Sequence, residues 1–219
     1  MAYVILELLE FFNWLTADLP RPLILGAPTF LAAYLLGSLA FSVIACRALG
    51  LPDPRTVGSG NAGATNVLRS GNRVAALATL LGDVLKGLLA ICLARSISHN
   101  FWVVGAAMVG VVFGHLYPIF FRFKGGKGVA TSMGVLTGLY WVLGLSVVLL
   151  WLLALAFTRR ASAASLVAAL AAPVLGYYVL MPEWLWPISI LSLLQIWKHR
   201  ANLWRLCQGT EPKISFIKK

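Results

Sequence analysis

Three stretches of this sequence gather glycine, hydroxyl, amide and cationic side chains in the combinations that phosphate chemistry uses. The first runs Gly58-Ser59-Gly60-Asn61-Ala62-Gly63-Ala64-Thr65-Asn66 and closes with Arg69. A loop of small residues exposes backbone N–H groups that can wrap an anionic oxygen. Ser59, Asn61, Thr65 and Asn66 can add side-chain hydrogen bonds, and Arg69 adds charge. Residues 58–63 also fit the dinucleotide pattern GxGxxG, but the setting argues against that use. Asp53-Pro54-Arg55 precedes the loop and no βαβ unit surrounds it. Asp83, twenty residues after Gly63, sits in an apolar run one helical turn from Lys86, its expected partner. An ordinary turn between helices is the competing reading.

The second stretch is Gly114-His115-Leu116-Tyr117-Pro118, followed by Phe123-Lys124-Gly125-Gly126-Lys127-Gly128-Val129-Ala130-Thr131. It misses the Walker pattern, because Gly128 stands where Ser or Thr is required after the lysine. Two lysines among three glycines at the mouth of a helix still suit a phosphate, which the helix dipole also favours. A basic loop needed only for orientation would not require the glycines. His115, alone in an apolar run, reads as a packing residue. The third stretch is His199-Arg200-Ala201-Asn202-Leu203-Trp204-Arg205-Leu206, with Gly209 and Glu211 beyond it. His199 and Asn202 share a helix face. Arg200 points elsewhere and is a candidate partner for Glu211, which is expected to support a cation.

These stretches are set among apolar runs. Of the 219 residues, 60% are hydrophobic and 11% charged, with a mean hydropathy of +0.85. Soluble domains carry about 25% charged residues, so the chain reads as a membrane domain. In a soluble protein the net charge of +11 would suggest nucleic acid. Here the cations lie between apolar runs, which points to cytoplasmic retention during insertion and to no nucleic-acid partner. Cys46, Cys92 and Cys207 lack metal spacing, and neither metal nor cofactor is expected. The N-terminus carries Glu7 and Glu10 without a basic leader, unlike a signal peptide. Residues 1–20 are expected to form a surface helix or a tail, and residues 21–219 a single transmembrane domain.

Spans are expected over residues 23–46, 74–94, 101–121, 161–182 and 184–197, the last with three tryptophans suited to an interface. Residues 128–158 form one long uncharged run. As a single helix it would rise about 46 Å, against a bilayer core of about 30 Å. Fifteen of the eighteen Lys and Arg residues fall in four groups, at 47–73, 122–127, 159–160 and 198–219. All four groups stay on one side only if residues 128–158 make two helices, with a break between residues 138 and 144. The expected architecture is therefore an all-α polytopic membrane protein of seven transmembrane helices, N-terminus outside and C-terminus cytoplasmic. Its half-length helices fit if the second basic loop dips into the membrane.

Taken in order, GSGNAGATNVLR at 58–69, GHLYPIFFRFKGGKGVAT at 114–131 and HRANLWRLCQGTE at 199–211 resemble the acyl-phosphate:glycerol-3-phosphate acyltransferase family, PlsY. The resemblance runs from about residue 23 to 213 and leaves the first 20 or so residues outside it. It implies an enzyme of phospholipid synthesis in the bacterial inner membrane, with its active site facing the cytoplasm. The implied reaction moves a fatty acyl group from acyl phosphate to the 1-position of sn-glycerol 3-phosphate, giving lysophosphatidic acid and inorganic phosphate. It implies Ser59 and Arg69 as catalytic or phosphate-contacting, and Gly125, Gly126 and Gly128 as the glycerol 3-phosphate loop. It further implies His199 and Asn202 as essential, and Glu211 as structural.

On this reading Ser59 and the amides around Gly60 hold one phosphate. Gly58, Asn61, Thr65 and Asn66 complete that loop, and Arg69, Lys127 and Lys124 neutralise charge. Asn202 and His199 position glycerol 3-phosphate, while membrane lipid surrounds the acyl tail. Asp83 and Lys86 are supporting residues. No Ser-His-Asp set lies near the motifs, so direct transfer is expected without an acyl-enzyme. Either His199 or the departing phosphate takes the proton. A transporter of a phosphate-bearing solute is the rival class, and it would need ions near the midplane, where only Asp83 and Lys86 are expected.

Overall fold

The computed structural model describes residues 21–214, which form helices joined by turns, with no strand among the described residues. The helix or tail expected for residues 1–20 and the orienting cations Lys218 and Lys219 lie outside the described residues.

The first apolar run, expected as one span, is interrupted. Helix α1 (Arg21–Gly37) stops and α2 (Phe41–Ala48) restarts after a short break. Ser38 Oγ donates to the Tyr34 carbonyl at 2.8 Å, and the Leu39 carbonyl, freed from helical bonding, accepts from Lys86 Nζ at 2.8 Å. The break thus supplies an acceptor to a buried ammonium, which hydrocarbon could not do. A short helix, α3 (Ala64–Arg69), then leads into α4 (Arg73–Ile97). Asn72 caps α4 by accepting from the Ala75 N–H at 2.8 Å, and Asn100 caps α5 (Phe101–Leu116) by accepting from the Trp102 N–H at 2.9 Å. Both caps satisfy amides a helix start leaves open.

The long run over 128–158 divides into α6 (Val129–Leu139) and α7 (Trp141–Thr158). Tyr140 between them is extended, at φ −154° and ψ 110°. Arg95, near the end of α4, donates to the Gly138 and Leu139 carbonyls at 3.1 and 3.0 Å. That satisfies acceptors α6 leaves at its C-terminus. After α7 come α8 (Ala161–Val179), α9 (Leu185–Lys198) and the short α10 (Arg200–Cys207). Five helical stretches have the length and apolarity to cross a membrane: Ile24–Ala48, Arg73–Ile97, Phe101–Phe121, Trp141–Thr158 and Ala161–Val179. Helices α6 and α9 are shorter, at 11 and 14 residues.

Small residues let these helices approach closely. A methyl group at Gly114 of α5 would come within 2.9 Å of the Ser38 amide, and one at Gly134 of α6 within 2.9 Å of the Val84 carbonyl carbon. Close backbone contact of this kind drives packing where no hydrophobic force separates helix from lipid. Ile91, Met108, Leu116, Ile188 and Leu191 form the buried centre. Outside, Leu77, Leu81, Leu85 and Leu89 recur every fourth residue of α4, each about half exposed. A water-soluble monomer rarely shows so continuous an apolar stripe; hydrocarbon solvates it.

The described members of the four basic groups converge at one end. Arg69 donates to the Pro212 carbonyl at 3.3 Å, and Arg160 to the Glu211 carbonyl at 3.1 Å. The Ile214 amide donates to the Arg159 carbonyl at 2.7 Å, and Lys198 Nζ to the Leu116 carbonyl at 3.3 Å. Arg95 and Tyr140 mark the opposite end.

Candidate functional site

The first loop is fastened by Asn66. Its side chain is buried, donating to the Pro54 and Val57 carbonyls at 2.7 and 3.0 Å and accepting from the Ser59 amide at 2.9 Å. Gly58 has a φ of +60°, and a methyl group there would overlap the Asn66 amide oxygen. Only glycine meets both demands. Asn66, expected at the substrate, holds the loop together with its side chain. Ser59 and the amides around Gly60 were expected to grip an anion; of these, Ser59 N–H serves Asn66 and Gly60 N–H serves the Val57 carbonyl at 3.1 Å. Ser59 is exposed, Asn61 and Thr65 are half-buried, and Arg69 is exposed at the end of α3.

The second loop folds back beside the last turn of α5. The Gly126 amide donates to the His115 carbonyl at 3.1 Å. A methyl group at Gly126 would overlap the His115 ring and come within 2.7 Å of the Ala62 carbonyl, so first and second loops touch. Gly125 packs on the His115 carbonyl, and Gly128 on Leu116 and Val112. Lys127 is half-buried at the mouth of α6, whereas Lys124 is exposed.

Lys127 meets the third motif. Its Nζ donates to Asn202 Oδ1, and Asn202 Nδ2 donates to Glu211 Oε1 at 2.7 Å. Ser162 Oγ donates to the same oxygen at 2.7 Å, and Arg205 Nε donates to Glu211 Oε2 at 2.7 Å. Glu211 is thus paired with Arg205, correcting the expectation of Arg200. Arg200 instead lies over the Trp197 ring, 4.8 Å from its centroid. The Gly209 turn (φ +72°) brings the tail back so that the Glu211 amide meets the Arg205 carbonyl at 3.2 Å.

Charge at this cluster is out of balance. One carboxylate, Glu211, is surrounded by Lys127, Arg205, Arg69 and Arg160. Burial alone would raise its pKa, but the hydrogen bonds from Ser162, Asn202 and Arg205 outweigh it and hold the carboxyl below its usual range. Burial lowers Lys127 to about 8; Glu211 opposes the shift, and the charges of Arg205, Arg69 and Lys198 add to it. Burial, with the charge of Lys127, lowers His199 to about 4. The ring is therefore neutral at pH 7. Its Nδ1 lies 2.8 Å from the Gln195 carbonyl; donation there leaves Nε2 as an acceptor. The result is a cationic cluster with one neutral imidazole, suited to binding phosphate and accepting a hydrogen bond from a hydroxyl.

Asp83 and Lys86 stand apart from this cluster, inside α4, paired at 2.8 Å. His115 Nδ1 lies 3.3 Å from Asp83 Oδ1. That third member was missed: periodicity marks His115 only as one polar residue in an apolar helix. Ser162, Arg160 and Arg205 were missed as partners of Glu211. Arg160 and Ser162 come from the start of α8 and Arg205 from α10, onto which the Gly209 turn folds Glu211 back.

The family model described as glycerol-3-phosphate acyltransferase matches residues 27–209. A glycerol-3-phosphate acyltransferase of Coxiella burnetii (strain Dugway 5J108-111) is 50% identical over 188 residues, covering 85% of this chain and 96% of the relative. That of Methylobacillus flagellatus is 51% identical over 184 residues, covering 83% and 93%. A crystal structure of PlsY, an integral membrane glycerol 3-phosphate acyltransferase in its glycerol 3-phosphate form, aligns with a TM-score of 0.82 at 35% identity. It covers 87% of this chain and 96% of that one. The lysophosphatidic acid form aligns with a TM-score of 0.81 at 33% identity, covering 87% and 95%.

Proposed function

The chain belongs to the glycerol-3-phosphate acyltransferase family of phospholipid synthesis, and we propose that it takes its acyl group from an acyl phosphate. The observation that carries this reading is the excess of cation around Glu211, in a cluster where the imidazole of His199 feels the charge of Lys127. Two phosphate-bearing substrates would supply the missing negative charge. The 1-hydroxyl oxygen of sn-glycerol 3-phosphate attacks the acyl carbonyl, the bond between carbonyl carbon and phosphate oxygen breaks, and inorganic phosphate leaves with lysophosphatidic acid as co-product.

Alignment of the hydroxyl with the carbonyl and stabilisation of the departing phosphate are the enzyme's two tasks. We assign charge stabilisation to Arg69 and Lys127, with Ser59, Asn61 and Thr65 adding hydrogen bonds and Lys124 at the rim. Asn202 and neutral His199 orient glycerol 3-phosphate over the glycine loop at 125–128. Glu211 holds Asn202 and Arg205 in place. Direct transfer is supported by the setting of His199, whose Nδ1 meets a backbone carbonyl where a Ser-His-Asp triad would have a carboxylate. The proton passes to His199 Nε2 or to the departing phosphate.

We further propose seven spans within a single domain over residues 21–219, with residues 1–20 as an extension. The N-terminus is outside, the C-terminus cytoplasmic, and the site on the cytoplasmic face of the inner membrane. The meeting of all four basic groups at one end supports this orientation under the positive-inside rule. A reporter fused after Arg160 is expected to read cytoplasmic; an external signal defeats the seven-span arrangement.

The donor is tested with purified protein, glycerol 3-phosphate, and acyl phosphate or acyl-coenzyme A. Phosphate release that requires both glycerol 3-phosphate and acyl phosphate supports the proposal. Lysophosphatidic acid formed only from the thioester overturns it. Acyl label trapped on Ser59 would overturn direct transfer.

A further inference from the structure

His115 is buried in the last turn of α5, and the mechanism above gives it no role. It lies between a buried ion pair and the second glycine loop. On one side its Nδ1 lies 3.3 Å from Asp83 Oδ1, and that carboxylate is paired with Lys86 at 2.8 Å. Lys86 is in turn anchored on the Leu39 carbonyl at the break between α1 and α2. On the other side the ring faces Gly126 through Nε2, so closely that no side chain fits between them. The His115 carbonyl accepts the Gly126 amide at 3.1 Å and underlies Gly125. A chain of contacts therefore runs from the bent first span, through Lys86, Asp83 and His115, to the backbone of residues 125–126. Lys127 follows directly, and its ammonium reaches Asn202.

We infer that His115 is a positioning residue for the acceptor substrate: its ring, held between the Asp83–Lys86 pair and Gly126, sets the height and tilt of the loop that receives glycerol 3-phosphate. This rests on the proposed assignment of the loop at 125–128 to that substrate. Two features distinguish the role from plain packing. An apolar helix end needs no carboxylate, ammonium and imidazole together, because burying such groups costs far more than burying a leucine. The ring also abuts backbone that only glycine allows, so its position is transmitted to the loop without a flexible side chain between.

The test is calorimetric binding of sn-glycerol 3-phosphate to the full chain in detergent, with steady-state kinetics alongside, for His115→Ala, His115→Gln and Gly126→Ala. His115→Ala is expected to weaken glycerol 3-phosphate binding about tenfold and raise its KM by a similar factor, with kcat and the donor KM within about twofold. His115→Gln, which keeps a polar group of similar reach, is expected to fall between wild type and alanine. Gly126→Ala is expected to abolish detectable binding. Folded His115 variants that bind within about twofold of wild type, while Gly126→Ala loses binding, overturn the inference and leave the loop assignment standing. Normal binding by Gly126→Ala overturns both. If His115→Ala does not fold, the glutamine variant decides by the same criterion.

Discussion

Two clusters of charge occupy this molecule, built from the same three kinds of group and arranged to opposite ends. Within α4 and α5, Asp83, Lys86 and His115 share one carboxylate, one ammonium and one imidazole, all buried. At the basic end, Glu211, Lys127 and His199 repeat that set, but Arg69, Arg160 and Arg205 are added and the cluster opens to the surface. The inner group balances its own charge. The outer group does not, and its deficit is one that phosphate would fill on the proposed reading. Chemistry follows from the remainder left after internal pairing, more than from the residue types.

Removing charge from the open cluster tests that distinction most severely. Lys127→Met is expected to lower kcat/KM about a thousandfold while the purified variant keeps its melting temperature, since electrostatic groups aimed at developing charge contribute on that scale. In the closed cluster the larger effect should be on stability. Lys86→Met strands Asp83 in the bundle and is expected to cost about 3–5 kcal/mol of stability, read as a lowered melting temperature in detergent. The paired change Asp83→Asn with Lys86→Met should recover much of that loss. A paired variant no more stable than the single one would break the comparison.

The titration of Lys127 sharpens it further. A lysine lowered to about 8 carries its charge below that pH and loses it above. For the free enzyme, kcat/KM is expected to fall as pH rises through about 8, approaching tenfold per unit. Lys127→Arg should remove that fall, because arginine stays charged. The smallest effect belongs to Arg200. Stacked on Trp197 and away from Glu211, it should tolerate alanine with less than about a twofold change in turnover. Arg205→Ala should lose more, through Asn202, because a hydrogen bond to a charged group contributes about 1.5–3 kcal/mol.

Much of this was legible in the amino-acid sequence because membrane insertion writes charge and length into it. The division of residues 128–158 followed from a run too long for the bilayer and from cations on both flanks. Its location at Tyr140 did not, since the stop depends on Arg95 reaching carbonyls from another helix. The break after Gly37 went unseen for a related reason: its partner is Lys86, 47 residues away. In the site, glycines and cations marked the loops, and the resemblance joined them. The engagement of the Ser59 and Gly60 amides inside their own loop went unseen, because spacing cannot show which N–H groups a loop uses to close itself. Arg200 and Arg205 were equally plausible partners for Glu211 until the turn at Gly209 chose between them.

Helix α6 has 11 residues and rises only about 16 Å, roughly half the hydrocarbon thickness. Measured back from Tyr140 at the far end, it begins well short of the level where α7 finishes, and the glycine loop sits in the gap. On the proposed reading the reacting carbonyl is met at the depth where neighbouring lipids keep their first methylenes. The newly acylated molecule then already has its tail at the right level of the leaflet. Departure becomes a sideways step into the bilayer, with no greasy chain drawn through water.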